Sequence, residues 1–217
     1  KKQNSFAKKI SSFYDGVAKN RKKWIEKGST FHREDALNLK ELILPKSRIL
    51  ELGCGTGNLL KSLEPSYGVG VDLSKEIIKE ANKDNKGIRF IQGDISNLEK
   101  YFPKKEKFDY IILSDTIGYI EDIQTTLESL HEFCNKETRI IISYYSPLWS
   151  PIFSLATFLK FKMPEIKTQL LNLQDIKSFL KISNFDVVRV EKKILSPIKI
   201  LGIGRLINRY LATLPIF

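Results

Sequence analysis

The sequence has little of the residue types that build metal centres and disulfide frameworks. Its 217 residues include two cysteines, Cys54 and Cys134, and two histidines. The cysteines lie far apart, and neither has a partner at a spacing typical of zinc ligands, so no metal site is expected. Two cysteines also do not make a secreted disulfide scaffold. We therefore expect a reducing, cytoplasmic setting.

Long apolar runs are also missing. No stretch of about 18 or more uninterrupted apolar residues occurs, which argues against a clear membrane span. Hydrophobic residues make up 42% of the chain and charged residues 28%, which is typical of a folded globular protein. The net charge of +11 favours anionic partners, such as nucleic acid, acidic lipid headgroups or phosphorylated substrates.

Five apolar runs separated by helical patterns indicate an α/β fold. The runs lie at residues 48–53, 67–73, 88–94, 108–115 and 139–145, and helices are predicted at 74–83, 121–134 and 172–183. Nearly continuous apolar runs are typical of strands buried on both faces of a parallel sheet. The alternation predicts β-α-β crossovers. A further strand is predicted at 185–195.

Three regions fall outside this alternation. Residues 1–44 are predicted to form an N-terminal helical cap on a central domain at 45–195. Within that domain, residues 147–170 form a long, aromatic insertion of a kind that often serves as a lid or binding segment. Residues 196–217 have basic and apolar residues at helical spacing. This basic amphipathic segment fits peripheral membrane contact through 197–217 and equally fits packing on the domain's own surface.

The segment "ELGCGTG" at 51–57 carries glycines at alternate positions directly after the first predicted strand. Glycine allows a tight turn and a close approach to a ligand, and open parallel sheets bind ligands beyond the carboxyl ends of their strands. The spacing differs from the G-x-G-x-x-G of nicotinamide-binding loops, and no G-K-[ST] follows, which excludes a P-loop. Glu51 would repel a pyrophosphate, so a cationic or zwitterionic ligand fits better.

Together with three later segments, this motif resembles class I S-adenosylmethionine-dependent methyltransferases. Asp72 ends the second predicted strand, "GD" at 93–94 ends the third, and "FDYIILSD" at 108–115 is similar to the fourth-strand motif of that class. A looser similarity links the chain to methyltransferase domains found beside glycosyltransferases. The resemblance implies a Rossmann-like fold with a mostly parallel central sheet and helices on both faces. It also implies S-adenosylmethionine as cofactor and methyl transfer to a small or lipid-linked acceptor.

The resemblance also implies a set of cofactor-binding residues. Asp72 would bind the ribose hydroxyls, Asp94 would contact the adenine amino group, and Tyr14 would close over the cofactor. The glycines would wrap the amino-acid and ribose portions. The full set is Tyr14, Glu51, Gly53, Cys54, Gly55, Gly57, Asp72, Leu73, Asp94, Ile95 and Ser114.

No obvious catalytic constellation is present, and methyl transfer does not demand one. Much of the rate can come from holding the acceptor in line with the methyl group, and a base is needed only if the acceptor must lose a proton. His32, Tyr119 and Tyr145 are the candidates for acceptor contact or proton transfer, and each also has a purely structural interpretation.

Two other functions stay open. An RNA methyltransferase would suit the positive charge, but "SDTI" stands at 114–117 where an N-P-P-Y-like tetrapeptide would grip a flipped base. A non-catalytic domain that binds the cofactor and recruits a partner to a membrane is the third hypothesis.

Overall fold

The strands form one parallel sheet. The computed structural model describes residues 5–27, 36–102, 106–145, 150–159, 163–164, 166 and 168–191. Its strands are β1 (Arg48–Leu52), β2 (Tyr67–Asp72), β3 (Arg89–Gln92), β4 (Phe108–Ser114) and β5 (Cys134–Ser143). Neighbouring strands pair in parallel in the order β3-β2-β1-β4-β5. The predicted α/β class with a parallel central sheet is confirmed.

Helices precede, separate and follow these strands. In chain order they are α1 (Ser5–Lys27), α2 (Asn58–Ser62), α3 (Lys75–Asp84), α4 (Ile123–Ser129), α5 (Ser150–Phe158) and α6 (Leu173–Ile182). Residues 36–40 form a further short helical segment. Single turns of 3-10 helix occupy Ile117–Tyr119 and Leu130–Phe133, and a kinked one occupies Ile95–Lys100.

The core lies on both faces of the sheet, as the apolar strands predict. Side chains alternate between the faces along a strand, so Leu50 and Leu52 of β1 lie in one buried cluster while Ile49 lies in the other. The first cluster also takes Leu127 of α4, and the second takes Leu60 of α2. Helices therefore cover the two faces, which explains the continuous apolar runs.

Side-chain caps fix the starts of two helices. The Ser74 hydroxyl accepts a hydrogen bond from the Ile77 N–H at 3.1 Å and begins α3. Asn172 begins α6 with a capping box in which the Asp175 carboxylate accepts the Asn172 N–H at 2.8 Å. Each cap satisfies backbone donors that have no partner inside the helix.

The strand predicted at 185–195 is wrong over the residues described. Residues 185–191 have no regular secondary structure and pair with no strand in the described part of the chain. Asn184, at φ 59°, turns the chain directly after α6. Phe185 then stacks on His131 with 4.1 Å between ring centroids. Alternating apolar residues suggested a half-buried strand, but a strand forms only where a neighbour completes its hydrogen-bond ladder. The rest of the predicted strand lies outside the described residues.

The helix predicted at 121–134 is shorter than expected. α4 begins after Asp122, whose carboxylate accepts the Thr125 N–H at 3.0 Å, and it gives way to a 3-10 turn. Cys134 already belongs to β5, where it pairs with Phe108 across a register shift. The polar start of β5 concealed this early beginning, and Tyr145 lies just beyond the end of the strand.

The three predicted outer regions are described to different extents. α1 and residues 36–40 lie within 1–44, and α5 lies within the insertion at 147–170. The segment at 196–217 lies outside the described residues, so membrane contact through it stays a prediction. Among the helices that are described, none combines the length and apolar character needed to cross a bilayer.

Candidate active site

The order of the strands places a crevice beside β1. Two crossovers run from β1 to β2 and β3, whereas β4 returns to the other side of β1. The strand order therefore reverses between β1 and β4. Open α/β sheets bind ligands at the carboxyl ends of the strands beside such a reversal. The loop after β1, the ends of β2 and β4 and the turn at Gly93 and Asp94 all lie at this edge.

The glycine loop turns through left-handed conformations that favour glycine. Gly53, Gly55 and Gly57 have φ values of 75°, 53° and 76°. A Cβ on Gly53 would lie 2.7 Å from the Thr116 methyl, and one on Gly57 would lie 2.6 Å from Phe90 Cε1. Glycine is therefore needed at these two positions for the turn and for close packing. At Gly55, a Cβ would instead point toward Arg21 of α1.

Asp72 ends β2 and turns its carboxylate toward the glycine loop. Its Oδ2 accepts the Gly55 N–H at 2.9 Å, and its Oδ1 accepts the Ser74 N–H at 2.9 Å. Burial raises the pKa of Asp72 above its ordinary value, and the Ser74 N–H, the Arg21 charge and the Gly55 N–H oppose that rise. A carboxylate oxygen can accept two hydrogen bonds, so both oxygens keep capacity for a ligand hydroxyl.

The other predicted adenosine contacts lie at the ends of β2 and β3. Leu73 is half-buried, and its carbonyl accepts the Ser11 hydroxyl of α1 at 3.3 Å. Asp94 Oδ1 accepts the Ser96 N–H at 2.9 Å, so this carboxylate also begins a 3-10 turn. Ile95 is buried within the core cluster. The predicted roles of these residues toward adenine stay predictions.

Cys54, Glu51 and Ser114 line the inner side of the loop. Burial raises the pKa of Cys54 well above its ordinary value, and the nearby charges of Asp72 and Glu51 raise it further. The thiol is therefore protonated and acts as a filler rather than a nucleophile. Glu51 is itself buried on β1. The Ser114 carbonyl accepts the Thr116 hydroxyl at 2.9 Å, which holds the turn after β4 against the loop.

Two of the predicted tyrosines meet. The hydroxyls of Tyr14 on α1 and Tyr119 after β4 lie 2.8 Å apart, and their rings meet edge to face at 6.0 Å. Tyr145 instead packs edge to face on Phe153 of α5, at 5.2 Å. His32 lies outside the described residues.

Sequence reasoning missed the residues that bring α1 to this edge. The Asp15 carboxylate accepts the Ser74 hydroxyl at 2.6 Å and the Glu76 N–H at 3.0 Å, which joins α1 to the start of α3. Arg21 lies on the same side of α1 as Tyr14, with its guanidinium carbon 5.3 Å from the ring centroid. The sequence contained one indication of this position. Arg21 lies at helical spacing from Ala18 and Ile10, which are buried, so it lies on the inner side of the predicted helix.

The donors and acceptors at this edge fit a zwitterionic nucleoside. Asp72 offers a carboxylate to hydroxyl groups, and Arg21 places a positive charge beside Gly55 where a ligand carboxylate would be neutralised. The described residues contain no group of three or more histidine, cysteine, aspartate or glutamate side chains placed to hold a metal ion. The predicted cofactor residues thus suit S-adenosylmethionine, although the individual contacts stay predictions.

Known proteins similar to this chain include methyltransferases. A family model described as a methyltransferase domain matches residues 43–181. Malonyl-[acyl-carrier protein] O-methyltransferase of Halalkalibacterium halodurans is 27% identical over 146 residues, covering 64% of this chain and 53% of that protein. An S-adenosylmethionine-dependent methyltransferase of Thermotoga maritima superposes with a TM-score of 0.69 at 18% identity, over 87% of each chain. Magnesium protoporphyrin IX methyltransferase of Synechocystis PCC 6803, with bound S-adenosylhomocysteine, gives 0.65 at 16% identity, over 85% of this chain and 91% of that one.

The sheet order and the loop geometry define the Rossmann-like fold of class I methyltransferases. Since the family model matches more than half of the residues, the chain belongs to the methyltransferase domain family, and S-adenosylmethionine is its cofactor. The chain spans 53% of the length of the H. halodurans protein and between 17% and 60% of the length of the curated relatives it matches.

Proposed function

We propose that the protein transfers a methyl group from S-adenosylmethionine to a small or lipid-linked acceptor with an apolar part. The Tyr14–Tyr119 pair is the observation that carries this proposal. It joins α1 to the turn after β4, beside the edge where Asp72 meets the glycine loop. An aromatic pair there offers ring faces to an apolar acceptor and hydroxyls to its polar group.

The residues of the chain supply orientation and exclusion of water. When bound, S-adenosylmethionine supplies an electrophilic methyl group. α1 covers the carboxyl edge of the sheet, and the tyrosine hydroxyls can donate to or accept from the acceptor atom that is to be methylated. Holding that atom in line with the methyl group provides much of the rate, so no further nucleophile is required.

The surface near Tyr145 supports an apolar acceptor. α5 has no charged residue along its length, and its Phe153 packs on Tyr145. Leu155 and Phe158 on the same helix are exposed, with 58% and 82% of their surface accessible. Exposed large apolar side chains in one element are typical of a surface that receives a ligand or partner.

Relatives are consistent with an acceptor that is not nucleic acid. The H. halodurans protein is named for methyl transfer to malonyl-[acyl-carrier protein], and the Synechocystis protein for magnesium protoporphyrin IX. Because the chain spans only part of the curated relatives, the acceptor is proposed by chemical class and not by name.

A labelling experiment tests the proposal. The protein is incubated with methyl-tritiated S-adenosylmethionine and one of three acceptor pools: an organic-solvent extract of bacterial cells, their aqueous small-molecule fraction, or purified tRNA. We expect label in the organic or small-molecule pool, and we expect Tyr119→Phe to reduce its incorporation. Label in tRNA alone, or in none of the pools while the protein still binds S-adenosylhomocysteine, would contradict the proposed acceptor class.

A further inference from the structure

Arg21 reaches from α1 to the glycine loop. Its Nη2 lies 3.2 Å, and its Nε 3.7 Å, from the position that a Cβ on Gly55 would take. Its charge opposes the rise in pKa that burial causes at Asp72 and Cys54. The guanidinium therefore lies at the inner edge of the cofactor site, although α1 precedes the sheet in the chain.

One donor of the guanidinium lacks an acceptor in the part of the chain that the structure describes. The Arg21 Nε–H is buried and donates to no acceptor there. Among the described residues, no ion pair within 4.0 Å joins Arg21 to a carboxylate. The oxygens of Asp72 accept the Gly55 and Ser74 N–H groups. Leaving a buried charged donor unsatisfied is costly, so such a group in a native site calls for an acceptor.

The chemistry of that acceptor follows from the shape of the guanidinium. Arginine presents a rigid, planar fork of N–H donors that matches a carboxylate with two parallel hydrogen bonds. We propose that Arg21 binds the carboxylate of the methionyl part of S-adenosylmethionine and makes the site specific for cofactors that carry it. This inference rests on the assignment of S-adenosylmethionine as the cofactor.

Polar contacts of α1 hold Arg21 in place for this role. Asp15 accepts hydrogen bonds from Ser74 and Glu76 at the start of α3, and Tyr14 meets Tyr119. The Tyr14 ring also lies beside the guanidinium. These contacts fix the rotation of α1, because residues seven apart lie on the same side of a helix.

Calorimetric titration of two ligands tests the inference. S-Adenosylhomocysteine carries the carboxylate, whereas decarboxylated S-adenosylhomocysteine keeps the nucleoside, the thioether and the amine but lacks it. We expect Arg21→Gln to weaken binding of S-adenosylhomocysteine by about 10- to 100-fold and to leave the decarboxylated ligand within about twofold. Lys19→Gln removes an exposed positive charge from the same helix and should change neither affinity.

The same titrations separate the ways in which the inference can fail. Equal losses for both ligands in Arg21→Gln, or an unchanged affinity for S-adenosylhomocysteine, would overturn the role of Arg21 while leaving the cofactor assignment intact. Failure of the wild-type protein to bind either ligand would overturn the cofactor assignment and the inference with it. Arg21→Lys keeps the charge without the fork, so it should recover only part of the preference for the carboxylate.

Discussion

Gly53 and Gly16 have opposite structural roles. Gly53 has a φ of 75° and lies against Thr116. A side chain at this position would strain the turn and would also clash with Thr116. Gly16 lies in α1, and a Cβ there would meet nothing within 4 Å. The first glycine is a requirement of the fold, whereas the second only weakens a helix.

Alanine substitutions should therefore shift the stability in opposite directions. We expect Gly53→Ala to lower the free energy of unfolding by about 2–4 kcal/mol, through backbone strain and the clash with Thr116. Gly16→Ala should raise it by about 0.5–1 kcal/mol, because alanine is the better helix former. Urea denaturation of the two variants measures both effects. Equal changes in the two variants would contradict the packing described for the loop.

The charge of Asp72 makes cofactor binding depend on pH. A protonated carboxyl loses its strength as an acceptor for ribose hydroxyls, so affinity should fall as the pH is lowered. Because burial raises the pKa of Asp72, the loss should begin at a higher pH than for an exposed aspartate. The charges of Arg21 and Asp15 act on this carboxylate, and its own charge acts on the Cys54 thiol.

Asp72→Asn tests this expectation. The variant should bind S-adenosylhomocysteine about 10- to 100-fold more weakly near neutral pH, because the charged acceptor is gone. It should also lose most of the pH dependence that the wild-type protein shows as the pH is lowered from neutral. Titration calorimetry across this range provides the measurement, with the exposed Asp186→Asn as control. The same pH dependence in both variants would assign it to another group.

α1 and α3 are joined through a side chain that caps one helix from the other. Asp15 of α1 accepts the Ser74 hydroxyl and the Glu76 N–H, both in the first turn of α3. A carboxylate at this end of a helix satisfies a free N–H and interacts favourably with the helix dipole.

Removal of this cap should loosen α1. Asp15→Ala is expected to lower the free energy of unfolding by about 1–2 kcal/mol and to speed amide hydrogen exchange in α1. Asp15→Asn keeps a capping oxygen, so it should lower the free energy of unfolding by less than Asp15→Ala does. Thermal denaturation and hydrogen exchange measure the two effects, with the exposed Lys19→Ala as a control that stays within about 0.5 kcal/mol. Equal behaviour of Asp15→Ala and Lys19→Ala would show that the cap contributes nothing.

Elements with strong local signals were predicted from the sequence, and elements that depend on distant partners were not. The strands at the centre of the sheet are apolar on both faces, so their sequences suffice to place them. The early start of β5 is polar, and its place in the sheet depends on pairing with Phe108. The segment at 185–191 has the alternation of a strand but lacks a neighbouring strand among the residues described.

The residues of the site also differ in whether a local motif or a distant contact positions them. The glycines, Asp72 and Asp94 lie beside the strands that position them, so a motif in the sequence indicates them. Arg21 reaches Gly55 across 34 positions of the chain, and that contact depends on how α1 packs. The role of the buried Asn85 was also not predicted. Its amide donates to the Thr56 carbonyl at 2.9 Å and supports the glycine loop.

At the scale of the whole molecule, charge and apolar character predict a membrane surface as one partner. The net charge is +11, and residues 197–217 combine Lys199, Arg205 and Arg209 with regularly spaced apolar residues. Basic residues near an anionic bilayer contribute about 1 kcal/mol each. We therefore predict that the full chain sediments with vesicles containing anionic lipid.

Removal of the C-terminal segment provides the test. Residues 1–196 alone should sediment with these vesicles at least about tenfold more weakly than the full chain, and added salt should reduce binding of the full chain. Vesicles of neutral lipid serve as control. Equal sedimentation of both proteins, or binding that ignores salt, would mean that this segment is not an electrostatic membrane contact.

Binding of S-adenosylmethionine at the carboxyl edge of the sheet, beside the glycine loop and Asp72, is the prediction on which the others depend. Titration calorimetry of S-adenosylhomocysteine into the wild-type protein tests this most directly. We expect saturable binding of one ligand per chain with a dissociation constant of roughly micromolar order. Absence of binding at about millimolar ligand, with the protein folded by circular dichroism, would contradict it.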